Sequence, residues 1–373
     1  MKTYAIVLGT RPEAVKLLPV WMALRGSDRL GVELISTGQH REMLDQVLDL
    51  YDVRPDVSLD IMTQNQSLAD LTATVLTRLD AWFSGGRYQG IIVQGDTTTC
   101  FAASLVSFYR KIPLFHVEAG LRTGDIWRPF PEEFNRRATS LLARLHFAPT
   151  ETARLALAAE GIQAGVHVVG NTVIDSLFHV RRRVQDDLSR YQRRFASYLT
   201  PGQPLVLITG HRRESFGQGF ENICTAIQQL AALFPNYVFL YPVHLNPNVR
   251  GVVSSRLQGL PNVHLLDPVP YDELVYLLLV CHIVLTDSGG IQEEAPSLGK
   301  PVLVLRETTE RPEGVAAGCC ELVGTDPDRI VSSFTRLATD PSHYARMSQA
   351  QNPYGDGLAA SRIRKLLEQD AER

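Results

Sequence analysis

Acidic side chains stand at three places between residues 94 and 137 where a structural role alone would not require them. Asp96 lies three residues after the apolar run at 91–93, and Glu118 directly follows the run at 112–117, so each is expected at the carboxyl end of a β-strand. In an open α/β sheet this edge is where ligands bind. Glu132 and Glu133 come soon after, in a proline-rich segment that predicts a loop. Together these residues predict an acid-lined pocket suited to proton transfer, or to stabilising a cation, at an uncharged carbon centre.

Each of these acids also has a purely structural interpretation. Asp96 can be the N-cap of a helix that begins at Thr97, and Glu118 can pair with the Arg122 guanidinium. A glycine lies close to each of the two acids, at the point where a strand ends. Because both acids follow successive strands in this way, we favour a functional site.

Length and composition narrow the class of protein. The chain has 373 residues, which predicts two domains rather than one, and its net charge of −3 gives no reason to expect nucleic acid as a partner. No apolar run approaches the ~20 residues that span a bilayer, and a strand is predicted directly after the first three residues. We therefore expect no membrane segment, no signal peptide and a cytoplasmic location. The 5 cysteines lack C-x-x-C spacing, which argues against a disulfide framework and against a metal site.

Short apolar runs, with helical patterns between most of them, recur along the whole chain. They lie at 4–8, 32–36, 91–93, 112–117, 145–148 and 166–169, and again at 205–208, 238–243, 263–266, 283–286, 302–305 and 321–323. This alternation predicts mainly parallel sheets. A charged helical stretch at 181–194 and a turn at 200–204 separate the two series. We predict two similar α/β domains that face each other, residues 1–170 and 171–354, with a final helix within 355–373 that packs back on the first.

Two strand-to-helix turns have the composition of anion sites. The G-T-R-P-E sequence at 9–13 predicts a helix start with free backbone N–H groups and the Arg11 guanidinium, a combination that binds phosphate. A capped helix with a surface arginine is the alternative. In the second series, D-S-G-G at 287–290 ends a strand and begins a helix, and its glycines permit close approach of a pyrophosphate. Glu294, one turn later, can accept hydrogen bonds from ribose hydroxyls. Two such sites on facing domains fit a nucleoside diphosphate between them.

Histidine and arginine follow other strands of the second series. G-H-R-R-E at 210–214 places the His211 imidazole and two guanidinium groups at a strand end, although a surface loop with an Arg–Glu pair is the alternative. His244 ends the next strand, whereas His146 lies within an apolar strand and is expected to be a satisfied core histidine. There is no G-x-G-x-x-G after the first strand and no G-x-x-x-x-G-K-[ST], which argues against NAD bound in the usual way and against P-loop chemistry.

Many longer motifs occur in a fixed order between residues 9 and 357. They include G-T-R-P-E-A-V-K-L-L-P-V, T-G-Q-H-R-E, Q-G-D-T-T-T, H-V-E-A-G-L-R-T, P-E-E-F-N-R-R, G-N-T-V-I-D, T-G-H-R-R-E, T-D-S-G-G-I-Q-E-E-A-P-S-L-G-K-P and N-P-Y-G-D-G. This series resembles the bacterial non-hydrolysing UDP-N-acetylglucosamine 2-epimerases. The resemblance implies a glycosyltransferase-B type fold, with two Rossmann-like domains and an interdomain cleft, and a homodimer. It also implies interconversion of UDP-N-acetylglucosamine and UDP-N-acetylmannosamine for surface polysaccharide synthesis.

The resemblance also implies roles for individual residues by their positions in the matching motifs. The implied catalytic residues are Asp96, Glu118, Glu132 and His211, and the implied substrate-binding residues are Arg11, Lys16, Ser288, Gly289, Gly290, Glu294 and Arg311. Some relatives bind a second UDP-N-acetylglucosamine as an activator. The matching positions here keep Gln39, Arg212 and His244, but Glu42 replaces a glutamine and Asn65 replaces an arginine. We therefore expect weak activation.

The chemistry of the substrate agrees with this assignment. C2 of an amido sugar has no adjacent carbonyl, so direct deprotonation is too hard, and oxidation would need a dinucleotide. The remaining route expels UDP from C1, removes the C2 proton to give 2-acetamidoglucal, and re-adds UDP without metal or nicotinamide. The alternatives are an epimerase of a diacetamido-uronic UDP-sugar, a UDP-sugar glycosyltransferase of the same fold, and a non-catalytic UDP-sugar sensor. The three acids argue against the last two.

Overall fold

A computed structural model describes residues 2–38, 41–62, 66–85, 88–200, 202–212 and 215–372, except for the side chains of residues 41–43. The chain forms two compact units. The first runs from the N-terminus to Ser176 and also includes the chain from Tyr354 onward, and the second is Leu177–Pro353. The first unit therefore extends past the boundary predicted at residue 170.

Seven parallel strands form the sheet of the first unit. They are β1 (Lys2–Leu8), β2 (Leu30–Ser36), β3 (Val57–Ser58), β4 (Gly90–Gln94), β5 (Leu114–Val117), β6 (Leu145–Ala148) and β7 (Val166–Val168). The helices between them are α1 (Arg11–Arg25), α2 (Arg41–Leu50), α3 (Leu68–Phe83), α4 (Thr98–Arg110), α5 (Glu132–Leu142), α6 (Glu151–Ala159) and α7 (Thr172–Asp186). Only six strands were predicted, because two-residue β3 is too short to leave an apolar pattern.

Six parallel strands form the sheet of the second unit, as predicted. They are β8 (Leu205–Thr209), β9 (Val238–Pro242), β10 (Val263–Leu266), β11 (Ile283–Thr286), β12 (Val302–Val304) and β13 (Cys320–Leu322). The helices are α8 (Leu188–Phe195), α9 (Gln218–Leu233), α10 (Pro247–Leu257), α11 (Tyr271–Val280), α12 (Gly289–Ser297), α13 (Pro312–Ala316), α14 (Pro327–Thr339) and α15 (Pro341–Ser348). The strands read as continuous apolar runs because both faces of a parallel sheet are buried.

The last helix, α16 (Ala359–Ala371), belongs to the first unit. Its own N-cap residue has no capping side chain. Instead, the Asp175 carboxylate on α7 accepts from the backbone N–H groups of Ala359 at 3.2 Å and Ala360 at 3.0 Å. This carboxylate caps the orphan donors of the helix start and ties α16 to α7.

The order of the strands fixes where each unit can bind a ligand. The first sheet has the order β3-β2-β1-β4-β5-β6-β7, and the second has the order β10-β9-β8-β11-β12-β13. The chain therefore reverses direction across the sheet at β1/β4 and again at β8/β11. Ligands of such sheets bind beyond the carboxyl ends of the strands at this reversal. Two Rossmann-like sheets confirm the predicted fold class.

Two further expectations concern the cysteines and the membrane. All five cysteines are buried and free, as expected of structural thiols. No helix within the described ranges is long and apolar enough to cross a membrane.

Candidate active site

Glu118 follows β5 directly and its carboxylate is held by three side chains. Its backbone has a positive φ of 60°, which is uncommon for a residue with a side chain. Lys16 Nζ, from α1, donates to both carboxylate oxygens at 2.6 Å. The Asn171 amide donates to Oε1 at 3.1 Å, and the Gln94 amide donates to Oε2. One cation and two amides therefore fix the orientation of a carboxylate that is only 7% exposed.

Asp96 follows β4, one residue beyond a glycine with positive φ. Its Oδ2 accepts from Arg136 Nη2 at 2.5 Å. Burial raises the pKa of Asp96, the Arg136 guanidinium opposes this, and the negative charge of Glu118 adds to it. The structural interpretation of Asp96 as an N-cap is wrong, because Thr97 occupies that position and its hydroxyl accepts from Cys100 N–H.

Glu132 and Glu133 begin helix α5, so the loop predicted for them is wrong. Glu133 is fully buried, accepts from the backbone N–H of Thr123 at 3.2 Å and pairs with Arg136 at 3.4 Å. Glu132 Oε2 is also buried, but it has no hydrogen-bond partner among the described residues. Glu133 Oε1 is likewise buried without a hydrogen-bond partner in the described part of the chain, so the two neighbours differ in that Glu133 uses its other oxygen structurally.

Sequence reasoning missed three partners of these acids. Arg136 bridges Asp96 and Glu133, and Gln94 and Asn171 hold Glu118. Each lies in a quoted motif, respectively P-E-E-F-N-R-R, Q-G-D-T-T-T and G-N-T-V-I-D. The spacing of Arg136 three residues after Glu133 on a helix was the one local signal, because residues i and i+3 share a helix face. The alternative pairing of Glu118 with Arg122 is wrong, since Arg122 pairs with Glu160 at 2.8 Å.

The turn between β1 and α1 differs from the predicted phosphate site with free backbone N–H groups. Its backbone N–H groups are not all free, because Glu13 Oε2 accepts from the N–H of Gly9 at 3.0 Å and of Thr10 at 2.9 Å. Glu13 Oε1 also accepts from the Thr97 hydroxyl at 2.7 Å. An internal carboxylate therefore occupies the donors that were expected to bind phosphate. The exposed Arg11 side chain is what this turn offers to an anion.

The second unit has a candidate anion site at the start of α12, which we call the anion site and define by Gly289, Arg212 and Arg311. Ser288 is the N-cap residue, and its side chain makes no capping hydrogen bond. A Cβ built on Gly289 would lie 3.7 Å from Arg212 Nη2 and 3.9 Å from the Arg311 guanidinium. Two cations beside a helix N-terminus, with glycine at both first helical positions, suit a phosphate or diphosphate.

Buried polar side chains surround this anion site along α12. Glu294 is nearly buried and accepts from the Tyr271 hydroxyl at 2.5 Å. Glu293 accepts from Arg311 Nε and so orients that guanidinium. Tyr271 begins α11 and was not singled out from the sequence, because an isolated tyrosine at a helix start has no distinctive pattern.

His211 and His244 lie together at the ends of β8 and β9. Their rings stack with centroids 5.2 Å apart and an interplanar angle of 16°. His244 Nδ1 accepts from the backbone N–H of Asn246 at 3.1 Å. His146 is buried as expected, and burial lowers its pKa to about 4, but Nδ1 has no hydrogen-bond partner in the described part of the chain, so it is not fully satisfied.

Some of the predicted site lies outside the described residues. Gln39 and Asn65 are not described, nor is the side chain of Glu42, so the second substrate site stays a prediction. Across the ranges that the structure describes, no group of three or more His, Cys, Asp or Glu side chains could hold a metal ion.

Comparisons with known proteins identify the family of the chain. The family model described as UDP-N-acetylglucosamine 2-epimerase matches residues 22–368. The chain is 51% identical to the UDP-N-acetylglucosamine 2-epimerase of Yersinia pestis and 50% identical to that of Escherichia coli K12, and each match covers 97% of both chains.

Solved structures agree over the whole length. The Neisseria meningitidis UDP-GlcNAc 2-epimerase bound to UDP-GlcNAc is similar with a TM-score of 0.92 and 46% identity, covering 99% of this chain and 100% of that chain. The Methanocaldococcus jannaschii UDP-GlcNAc 2-epimerase in complex with UDP-GlcNAc and UDP has a TM-score of 0.84 and 30% identity, covering 98% and 99%. The resemblance and the glycosyltransferase-B type fold class predicted from the sequence are confirmed. The chain is an enzyme of the UDP-N-acetylglucosamine 2-epimerase family.

Proposed function

We propose that the enzyme interconverts UDP-N-acetylglucosamine and UDP-N-acetylmannosamine by eliminating UDP and adding it back, and so supplies an amino sugar for surface polysaccharide. The observation that carries the mechanism is the set of three acids: Asp96 pairs with Arg136, Glu118 pairs with Lys16, and Glu132 has a buried oxygen without a hydrogen-bond partner among the described residues. The printed names of the Yersinia and Escherichia relatives, and the UDP-GlcNAc bound to the Neisseria protein, support the choice of substrate.

The anion site of the second unit supplies what the leaving group needs. When the bond between C1 and the phosphate oxygen breaks, the electron pair stays on UDP and negative charge grows on its diphosphate. Donors that are already oriented toward such a charge stabilise it without reorganisation. Arg311 meets this requirement because Glu293 fixes its guanidinium, and Arg212 contributes a second cation beside Gly289. Glu294 and Tyr271 then suit the ribose hydroxyls.

The acids of the first unit supply what the sugar needs. Loss of UDP leaves positive charge near C1, and a carboxylate stabilises it. One acid takes the proton from C2 as the C1–C2 double bond of 2-acetamidoglucal forms, and an acid on the other face returns a proton before UDP adds again. Lys16 pairs with Glu118 and Arg136 pairs with Asp96, and burial raises the pKa of Asp96, which favours proton exchange at that carboxyl.

Incubation with UDP-N-acetylglucosamine alone tests the proposal. We expect NMR to detect UDP-N-acetylmannosamine, whereas a glycosyltransferase or a sensor would leave C2 unchanged. Asp96→Asn, Glu118→Gln and Glu132→Gln should each lower turnover by roughly 10²-fold or more while UDP affinity, measured by calorimetry, stays close to wild type. Asp28→Asn, at an exposed acid remote in sequence, is the matched control. Near wild-type turnover in all three site variants would refute the assignment.

We also propose that the enzyme is a homodimer that associates through α4 and α5. These helices lie side by side, since the Ser104 hydroxyl donates to Thr139 Oγ1 at 3.2 Å. Their outer faces leave Phe108 62% exposed and Leu141 78% exposed. Contiguous exposed apolar side chains on a globular protein indicate a protein–protein contact. Phe134 on α5 is also exposed, as are Trp127 and Phe130 in the segment before α5.

Light scattering after size-exclusion chromatography measures the assembly. Leu141→Asp should convert the dimer to a monomer, because a charge in an apolar interface is left without a partner. Leu155→Asp changes another exposed leucine, on α6, and should leave the dimer intact. A wild-type monomer, or a Leu141→Asp dimer of unchanged stability, would contradict this interface.

A further inference from the structure

Asp287 is a buried carboxylate that the reaction as proposed so far does not use. It follows β11 directly and is 0% exposed. Its Oδ2 accepts from the backbone N–H groups of His211 and Arg212, both at 2.8 Å. The turn after β8 therefore closes around this carboxylate. A Cβ at Gly210 would lie only 3.0 Å from the Tyr241 hydroxyl oxygen, so the glycine permits this turn to pack closely against β9.

The second oxygen of Asp287 is directed toward the imidazole. Oδ1 is buried, has no hydrogen-bond partner within the described ranges, and lies 3.7 Å from His211 Nδ1. This separation is too long for a hydrogen bond but close enough for a strong interaction between charges. Catalytic hydrogen bonds are often long without ligand and shorten when substrate binds. The His211 ring is also restrained from the side by stacking on His244.

We propose that Asp287 is a positioning residue for His211: it directs Nδ1–H toward the carboxylate and so presents Nε2 to the diphosphate of the UDP-sugar. This inference rests on the proposed function. A carboxylate at Nδ1 fixes the tautomer of an imidazole and stabilises the imidazolium. Both ring nitrogens carry a proton in this imidazolium, so Nε2–H donates to the oxygen that gains charge as UDP leaves C1. The cations of the anion site, Arg212 and Arg311, would otherwise disfavour a further positive charge.

A purely structural role predicts something different. If Asp287 only closes the turn, any residue that accepts from the two backbone N–H groups would serve equally well. Asp287→Asn separates the two roles, because its amide oxygen can still accept from both N–H groups while its NH2 group would face His211 Nδ1. That NH2 group is a donor, so the neutral imidazole would change to the tautomer with the proton on Nε2.

Two measurements test the proposal. Nitrogen-15 NMR of the imidazole should detect the Nδ1–H tautomer of neutral His211 in the wild-type enzyme and the Nε2–H tautomer in Asp287→Asn. Turnover should fall by about 10²-fold in Asp287→Asn and in His211→Gln. The double variant should be no slower than His211→Gln alone, because residues that act as one unit are not additive.

The outcomes distinguish this inference from the proposed function. A multiplicative loss in the double variant, or an Nε2–H tautomer in the wild-type enzyme, would overturn the positioning role even if epimerisation is intact. Absence of epimerisation in the wild-type enzyme would instead refute the proposed function, whatever the NMR result. If Asp287→Asn does not fold, the wild-type tautomer alone still decides the question.

Discussion

Replacing Lys16 by Met should destabilise the first unit by about 3 kcal/mol, because the buried Glu118 carboxylate would lose the ammonium group that donates to both of its oxygens. Methionine keeps most of the length and apolar contacts of the lysine stem. The variant therefore removes a charge and its hydrogen bonds with little change in packed volume.

The magnitude follows from what remains around the carboxylate. Removing one partner of a buried ion pair typically costs ~3–5 kcal/mol, because the other charge stays buried. Glu118 keeps hydrogen bonds from Gln94 and Asn171, and a hydrogen bond to a charged group contributes about 1.5–3 kcal/mol, so we expect the low end of that range. Glu118→Gln in the Lys16→Met background removes the uncompensated charge. The double variant should therefore be destabilised by at least about 1 kcal/mol less than the sum of the single variants.

Urea unfolding followed by tryptophan fluorescence isolates the relevant unit. The 3 tryptophans, Trp21, Trp82 and Trp127, all belong to the first unit, so their signal reports its unfolding alone. The wild type, Lys16→Met, Glu118→Gln and the double variant should be compared at pH 7, with one common slope of unfolding free energy against urea concentration. A Lys16→Met protein within 0.5 kcal/mol of wild type (roughly the limit of a surface substitution), or strict additivity in the cycle, would refute the reasoning.

Three further outcomes are expected. Burial raises the pKa of Asp175 to about 6, so its contribution to stability is present below about pH 4 and is lost as the pH rises through 6. The free energy of unfolding of Asp175→Asn should therefore rise relative to that of the wild type, by up to about 3 kcal/mol, as the pH rises through this window. A difference in unfolding free energy that does not vary with pH would contradict this. Turnover should be unaffected by a chelator or by added nicotinamide cofactor; a lasting loss after chelation that one metal restores would overturn this. Initial rates against UDP-N-acetylglucosamine should be close to hyperbolic, because Asn65 cannot supply the charge that an arginine offers a diphosphate, and strong sigmoidicity would count against it.

The sequence predicted the position of the site better than its internal contacts. Apolar runs followed by Asp96, Glu118 and His211 are local signals, and the alternation of strands and helices predicts that each residue lies at the carboxyl edge of the sheet of its own unit. The partners of these residues come from elements far apart in sequence. Lys16 on α1 and Asn171 before α7 reach Glu118 only because the strand order brings β1, β5 and β7 to one edge.

The errors have physical reasons of the same kind. The turn after β1 has the composition of a phosphate site, but composition does not reveal that Glu13 folds back on the N–H groups of Gly9 and Thr10. Pro129 and Pro131, both just before Glu132, indicated a loop, whereas proline is also well accommodated just before the first turn of a helix. Strand β3 pairs with β2 over two residues only, too few for any periodicity.

Epimerisation in heavy water tests the central claim most directly. Elimination through 2-acetamidoglucal transfers the C2 proton to a side chain that exchanges protons with solvent. UDP-N-acetylmannosamine formed from UDP-N-acetylglucosamine should therefore contain one deuterium, located at C2. Mass spectrometry gives the incorporation, and proton NMR gives the position through loss of the C2 signal. A product formed at the normal rate without deuterium would contradict elimination and would indicate internal return of the same hydrogen.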